Sequence, residues 1–295
     1  LAKFVPSQRD YKPTSYAIGS LWNITPQWQL TGNVAYTERA PKDYELYANG
    51  PHIATRAYEV GNSTFAKEQA TQFDIGVAWK SAFNSIAFNA YSSNFKNYIG
   101  LVQSIGVTRN QSDGEVNPVD DPNNTGFSQA TGAVFSPLNE FRYQQIRARF
   151  TGFEASGNIR LIDGVSPIDL ALRADVVKAT SLTTGQPLSR IPPMRLGATL
   201  KYASGSFGAN FGFDHTAAQK SVPAGDRAAA ANTRFNAGAS YRVKAGPVNT
   251  LLYARLDNIT NRLAYSPTSI LTSTAFPNAP PLPGRSLKVG LQASF

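Results

Sequence analysis

From Arg285 onward the chain alternates without a break to its end. Leu287, Val289, Leu291, Ala293 and Phe295 fall on one face, and Ser286, Lys288, Gly290, Gln292 and Ser294 on the other. A period of two requires an extended strand with one oily face and one hydrated face. A single strand of this kind fits a soluble sheet as well as a transmembrane barrel, whose strands put lipid outside and water inside. The constraint comes from recurrence of the pattern along the chain, with a regular rhythm of turns.

Eleven segments alternate in this way: 15–24, 27–39, 70–80, 83–99, 146–161, 166–180, 194–203, 207–215, 232–243, 248–258 and 285–295. Short turns close successive pairs at Thr25-Pro26, Ser81-Ala82, Asp163-Gly164, Ser204-Gly205-Ser206 and Lys244-Ala245-Gly246-Pro247. The pairs are separated by long polar or proline-rich stretches at 40–69, 100–145, 181–193, 216–231 and 259–284. Structureless loops of this length argue against a compact soluble domain. They are expected of an outer-membrane barrel, with short periplasmic turns and long extracellular loops. The parity places Phe295 at the periplasmic end.

The faces agree across strands. Phe73, Ile75, Val77 and Trp79 alternate with Gln72, Asp74, Gly76 and Ala78. Phe153, Ala155, Ile159 and Leu161 alternate with Glu154, Ser156, Asn158 and Arg160. Ile168, Leu170, Leu172, Ala174 and Val176 oppose Asp169, Arg173 and Asp175, and Phe207, Ala209, Phe211 and Phe213 oppose Gly208, Asn210, Gly212 and Asp214. Charged residues thus share the face predicted to line the lumen, which spares them a cost of about 2–4 kcal/mol for a basic group at mid-bilayer. Glycines and β-branched residues interrupt any helical period.

Composition allows the same fold. No run of eighteen apolar residues occurs, which excludes membrane-spanning helices but not a barrel. The 13 Tyr and 17 Phe suit aromatic girdles at the two bilayer interfaces. A soluble sandwich or propeller would have a similar composition. With no cysteine there is neither a disulfide framework nor thiol chemistry. Leu1–Pro6 lacks the apolar stretch of a signal peptide, so the chain is expected to be mature or a fragment. The net charge of +9 suits an anionic ligand, a plug of opposite sign or anionic lipid headgroups. Nucleic acid is not an expected partner, since no cluster of five basic residues, helix-turn-helix or zinc-finger pattern is present.

Single-chain bacterial barrels have an even strand number. Either Ala2–Arg9 holds a twelfth strand, or the eleven belong to a larger barrel. The run from Ala35 to Glu68 bears on this choice. It contains Arg39-Ala40-Pro41, Glu45-Leu46-Tyr47, the insert Gly50-Pro51-His52-Ile53-Ala54-Thr55, then Tyr58-Glu59-Val60-Gly61-Asn62 and Glu68. This run resembles the signature of TonB-dependent outer-membrane receptors, and the insert resembles their zinc-uptake subgroup. Gly152-Phe153-Glu154, Ile191-Pro192-Pro193-Met194-Arg195, Leu256-Asp257-Asn258-Ile259-Thr260-Asn261 and the terminal Phe295 match further elements in the family's order. The resemblance implies a barrel of about 22 strands around an amino-terminal plug. Residues 1–295 would then be the carboxy-terminal half, without the plug and first half of the barrel. It also implies outer-membrane location, contact with lipid and lipopolysaccharide, coupling to the TonB complex through the plug, and recognition of Phe295 by the barrel-assembly machinery.

Few residues offer chemistry. His52 and His215 are the two histidines, and no Gly-x-Ser-x-Gly nucleophile elbow occurs, so no catalytic site is expected. An outer-membrane enzyme would reveal itself through Ser or His exchanges in an activity assay. His52, Tyr58, Asp214 and His215 are the candidate ligand-binding residues of the extracellular loops, with His52 and His215 the candidate metal ligands. His52 could equally pack its loop over the lumen. Asp214 and His215 are adjacent in a strand, so they point to opposite faces and could not chelate together unless the strand bends. The acidic loop at Asp113, Glu115, Asp120 and Asp121 would suit calcium but matches no EF-hand spacing. Arg160, Arg173, Arg195, Lys201, Arg242, Arg255 and Lys288 could line an anion path or pair with a plug. The expected function is uptake of a scarce metal or metal chelate (zinc, haem or a ferric siderophore), with that cargo as ligand and no resident cofactor. The alternative is a smaller closed barrel acting as porin or adhesin.

Overall fold

A computed structural model of the chain describes residues 8–110, 114, 116–117, 137–273 and 279–294. Its first elements are β1 (Tyr16–Asn23), β2 (Trp28–Arg39), α1 (Asp43–Tyr47), β3 (Asn49–His52), a 3-10 turn (Ile53–Thr55) and β4 (Ala57–Val60). There follow β5 (Glu68–Ser81), β6 (Asn84–Arg109), β7 (Val116–Asn117), β8 (Leu138–Ile162), β9 (Ile168–Ser181) and β10 (Arg195–Ser204). The remainder is β11 (Phe207–Thr216), β12 (Asn232–Ala245), β13 (Val248–Asp257), α2 (Ile270–Ser273) and β14 (Ser286–Ser294). Eleven long strands pair in the order β1-β2-β5-β6-β8-β9-β10-β11-β12-β13-β14, every neighbour antiparallel. These are the eleven segments read from alternation. No described helix is long and apolar enough to cross a membrane.

Two stretches expected to lack structure do not. β6 and β8 run on together as far as Arg109↔Leu138, deep into the region 100–145. Register shifts between Phe95 and Tyr98, and between Gln103 and Thr108, explain why alternation concealed this. The first leaves one extra residue on β6 and the second three, and either odd number reverses the phase of the faces, so a strict period of two breaks although the strand continues. The stretch 40–69 holds α1, β3 and β4, and β4 joins the sheet by pairing in parallel with β8 from Ala57↔Asn139 to Val60↔Arg142.

One end of the sheet, here the inner end, is closed by tight turns. Gly164, Gly205 and Gly246 sit at three of their tips with φ of 106°, 53° and 59°, a left-handed conformation that glycine adopts without a Cβ penalty. At Thr25-Pro26 the threonine hydroxyl accepts from the Trp28 amide at 3.0 Å and closes the first hairpin. Ala82 takes φ 32° in the β5–β6 turn.

The outward face is bare hydrocarbon. Leu287, Val289 and Leu291 are 66%, 74% and 64% exposed, and Ile18, Ile75, Phe153, Leu172 and Phe211 lie open on the same face. Such rows on many strands form an apolar belt that only lipid would cover. Aromatic residues mark its edges. Trp22, Trp28 and Trp79, all three tryptophans of the chain, sit toward the inner ends of β1, β2 and β5, with Phe207 and Tyr241 further round. At the outer edge Tyr16 stacks on Tyr36 at 5.1 Å between centroids.

The inward face is polar and interlocked. Arg160 binds Asp169 and Asp163, Arg195 holds Asp175 at 2.9 Å, Arg173 binds Asp214, and Asp257 receives Arg255 at 2.7 Å and Lys288 at 3.9 Å. Large inward side chains lie across glycines on the next strand. A Cβ on Gly152 would stand 2.3 Å from the Tyr91 ring, and one on Gly290 would stand 2.3 Å from the Tyr253 hydroxyl. Among the described residues, small buried apolar clusters lie toward the outer end, where Leu188 and Ile191 fold over Phe95, Tyr98, Ala148 and Phe150. β1 and β14 each have one partner and are not paired with each other among the described residues. The wall is therefore an open, partial barrel. Phe295 and residues 2–7, where a twelfth strand was considered, lie outside the described residues.

Candidate functional site

Between β2 and β5 one guanidinium organises the outer rim. Arg39 donates to Glu45 at 2.8 Å and embraces Glu68 through Nε at 3.1 Å and Nη2 at 3.0 Å. Glu45 also accepts the Lys42 amide at 2.8 Å, which starts α1, and Glu68 accepts the Ile99 amide at 2.8 Å. The arginine and the two glutamates of the motif thus tie β2, α1, β5 and β6 into one unit. Leu46 and Phe65 bury against Ile99 beneath it. Gly61 meets the end of α1 so closely that a Cβ would lie 2.6 Å from the Leu46 carbonyl carbon. Its amide donates to Ala48 O at 2.7 Å, and that of Asn62 donates to Glu45 O at 3.0 Å.

The other matched motifs are also architectural. Asn258 is buried with φ 49° and joins the outer end of β13 to the approach of β14, donating to Arg262 O at 2.9 Å and Pro283 O at 3.2 Å. Asn tolerates this left-handed conformation better than most residues. Ile191 packs into the aromatic cluster, and its carbonyl accepts from Gln219.

The outer extension of β6 and β8 carries a buried carboxylate. Glu140 is 1% exposed and is hydrogen-bonded by Arg109, Arg142 and Ser104. Burial pushes its pKa up, but the hydrogen bonds from Arg142, Ser104 and Arg109 outweigh this and hold it down at about 2. Arg109 also lies over the Tyr58 ring, 5.4 Å from its centroid.

The four candidate ligand residues are not brought together. His52 is exposed, and its Nδ1 lies 2.7 Å from the Thr55 hydroxyl. Tyr58 is buried under Arg109, and its hydroxyl donates to Asn49 at 3.0 Å. Asp214 faces inward to Arg173 and Asn236, while His215 turns outward, 2.8 Å from the Thr233 hydroxyl on β12. Among the described residues no group of three metal-ligating side chains occurs. Asp113, Glu115, Asp120 and Asp121 lie outside them. Of the seven inward basic residues, Arg160, Arg173, Arg195, Arg255 and Lys288 already pair with carboxylates of the wall.

A different place has the character of a binding site. Between the loops 217–231 and 258–285, at the outer end, lies a cavity of about 340 Å³ lined by Arg227, Asn232, Arg262, Tyr265 and Thr272 among others. Neither Arg227 nor Arg262 has a carboxylate partner among the described residues. Asn232 Oδ1 and Thr272 Oγ1 are buried there without a hydrogen-bond partner among those residues. Larger grooves of about 420 Å³ run along the outward face between rows such as Phe88, Leu172, Leu196 and Phe213. Their apolar linings suit acyl chains rather than a polar cargo. Periodicity could not reveal the loop cavity, because its residues are far apart in the chain and lie mostly in stretches without a regular period.

Known proteins share this architecture. The family model described as TonB-dependent receptor-like β-barrel matches residues 2–259. Among solved structures, the copper transporter OprC superposes with a TM-score of 0.68 at 17% identity, covering 93% of this chain and 38% of its own. The siderophore receptor PirA of Acinetobacter baumannii gives 0.60 at 17% identity, covering 94% and 40%. The ferric enterobactin receptor PfeA of Pseudomonas aeruginosa, in complex with enterobactin, gives 0.64 at 15%, covering 95% and 40%. The chain thus spans about two fifths of the length of these structures. An outer-membrane β-barrel wall with this motif set and this sheet order belongs to the TonB-dependent receptor-like β-barrel family.

Proposed function

We propose that the chain is the carboxy-terminal part of the wall and outer rim of a receptor that takes up an anionic metal chelate across the outer membrane. A plug and the remaining strands would complete it, and TonB would supply the energy through that plug. The observation that carries the reading is the loop cavity. Arg227 and Arg262 have no carboxylate partner among the described residues, and they share the cavity lining with Tyr265 and with Asn232 and Thr272, whose buried side-chain oxygens have no hydrogen-bond partner among those residues. Two arginines among the lining of one cavity favour an anion with oxygen donors, such as a ferric siderophore or haem carboxylates. Free zinc is supported less, since the described histidines stand apart and no three ligating side chains converge. PirA, a siderophore receptor, and PfeA, a ferric enterobactin receptor, share the fold and support the same class.

The experiment is competition binding of a ferric siderophore, haem and zinc to the complete receptor, with and without Arg227→Gln/Arg262→Gln. The double variant is expected to weaken binding of an anionic chelate by about tenfold or more, the loss of one to two charge-assisted contacts. Preferential zinc binding, unchanged in the variant, would refute the proposal.

A further inference from the structure

Above the apolar belt, β6, β8 and β9 present a group of basic side chains that the barrel interior does not use. Strand partners point to the same face. The outer girdle residue Tyr36 therefore begins an outward row that continues through Thr71, Asn94, Arg149 and Thr180. The row beneath it contains Phe73, Ser92, Thr151 and Lys178. Arg147 lies between Ile146 and Ala148, and Lys96 follows Phe95. Those three neighbours all pack into the inward cluster, which turns Arg147 and Lys96 to the outside. Lys96, Arg147, Arg149 and Lys178 are all exposed. Arg149 donates to Asn94 at 2.8 Å, and none of the four has a carboxylate partner among the described residues. Glu38, a carboxylate of the same outward face two residues beyond Tyr36, is occupied by Lys67 and Gln69.

From the belt upward the surface changes in a fixed order. The stacked pair Phe88 and Phe153 comes first, then the row of Ser92, Thr151 and Lys178, then Arg149, with Arg147 and Lys96 beyond it. A bilayer lipid has the same order from acyl chain through ester region to headgroup. We infer that Lys96, Arg147, Arg149 and Lys178 form a docking site for the phosphate of an outer-leaflet lipid, whose acyl chains lie along Phe88 and Phe153. The site faces away from the lumen, so it is separate from the loop cavity and from any transported cargo.

The test uses the protein extracted from outer membranes in its complete expressed form, with lipid adducts measured by native mass spectrometry. The probes are lipid A, dephosphorylated lipid A and inorganic phosphate. Each basic group near a charged membrane surface is worth about fivefold in binding, so Arg149→Gln/Lys178→Gln should weaken lipid A binding by roughly 25-fold. The exchange Arg149→Lys/Lys178→Arg, which preserves charge and assembly, should bind as the parent does. Removing two charges elsewhere, as in Lys220→Gln/Lys244→Gln, should change nothing. Equal retention of lipid A by the parent and the Gln variant would overturn the inference. So would equal binding of the two lipid A forms, or displacement of lipid A by inorganic phosphate at comparable concentration.

Discussion

Arg39 holds Glu45 and Glu68 on opposite sides of one planar group, and both carboxylates are largely shielded from water. Replacing it by alanine leaves two like charges buried without a counterion, a loss of about 3–5 kcal/mol. The expected result for Arg39→Ala is rapid hydrogen exchange at the Ile99 amide and through 43–62, with the lower strands still protected. At the opposite extreme of size, Gly152→Ala must displace the Tyr91 ring, and a fall in assembled barrel on heat-modifiability gels is expected. A variant that assembles as the parent does would show that the ring has room to move. The motif residues were legible in the sequence as a signature, but not their purpose. Arg39, Glu45 and Gly61 serve the rim's architecture, and Asn258 fixes the backbone of Arg262, a residue that lines the loop cavity. Tyr58 carried the same ambiguity, since only coordinates place it beneath Arg109.

Among the elements, alternation located all eleven long strands, because across the apolar belt inward side chains are mostly polar or small and outward ones mostly apolar. It failed at the outer halves of β6 and β8, where bulges reverse the phase. Leu172 and Ala171 allow a sharp check of the facing. Leu172→Arg puts a cation in the apolar belt at a cost of about 2–4 kcal/mol, whereas Ala171→Arg reaches the lumen. Assembly yield should fall for the first and hold for the second. The β6–β8 extension should respond to acid. Glu140 is held at about 2 against an ordinary 4.5, so its contribution is complete above pH 4.5 and is lost as pH falls toward 2. Exchange protection of Asn139–Arg142 should drop over that window, and Glu140→Gln should abolish the pH dependence.

For the molecule as a whole, the two free strand edges govern behaviour. Residues 1–295 expressed alone leave the unpaired edges of β1 and β14 available, and such edges template association with other chains. Size-exclusion chromatography should therefore show oligomers, and co-expression with the remaining strands should suppress them. The loop between β2 and β5 passes over the tops of β5 and β6 before β4 fastens onto β8. It is consequently no flap swinging on two hinges; a third rivet holds it from the far side. Among the described residues, the arginine-bearing loops further round the sheet have no such pairing with another strand's edge.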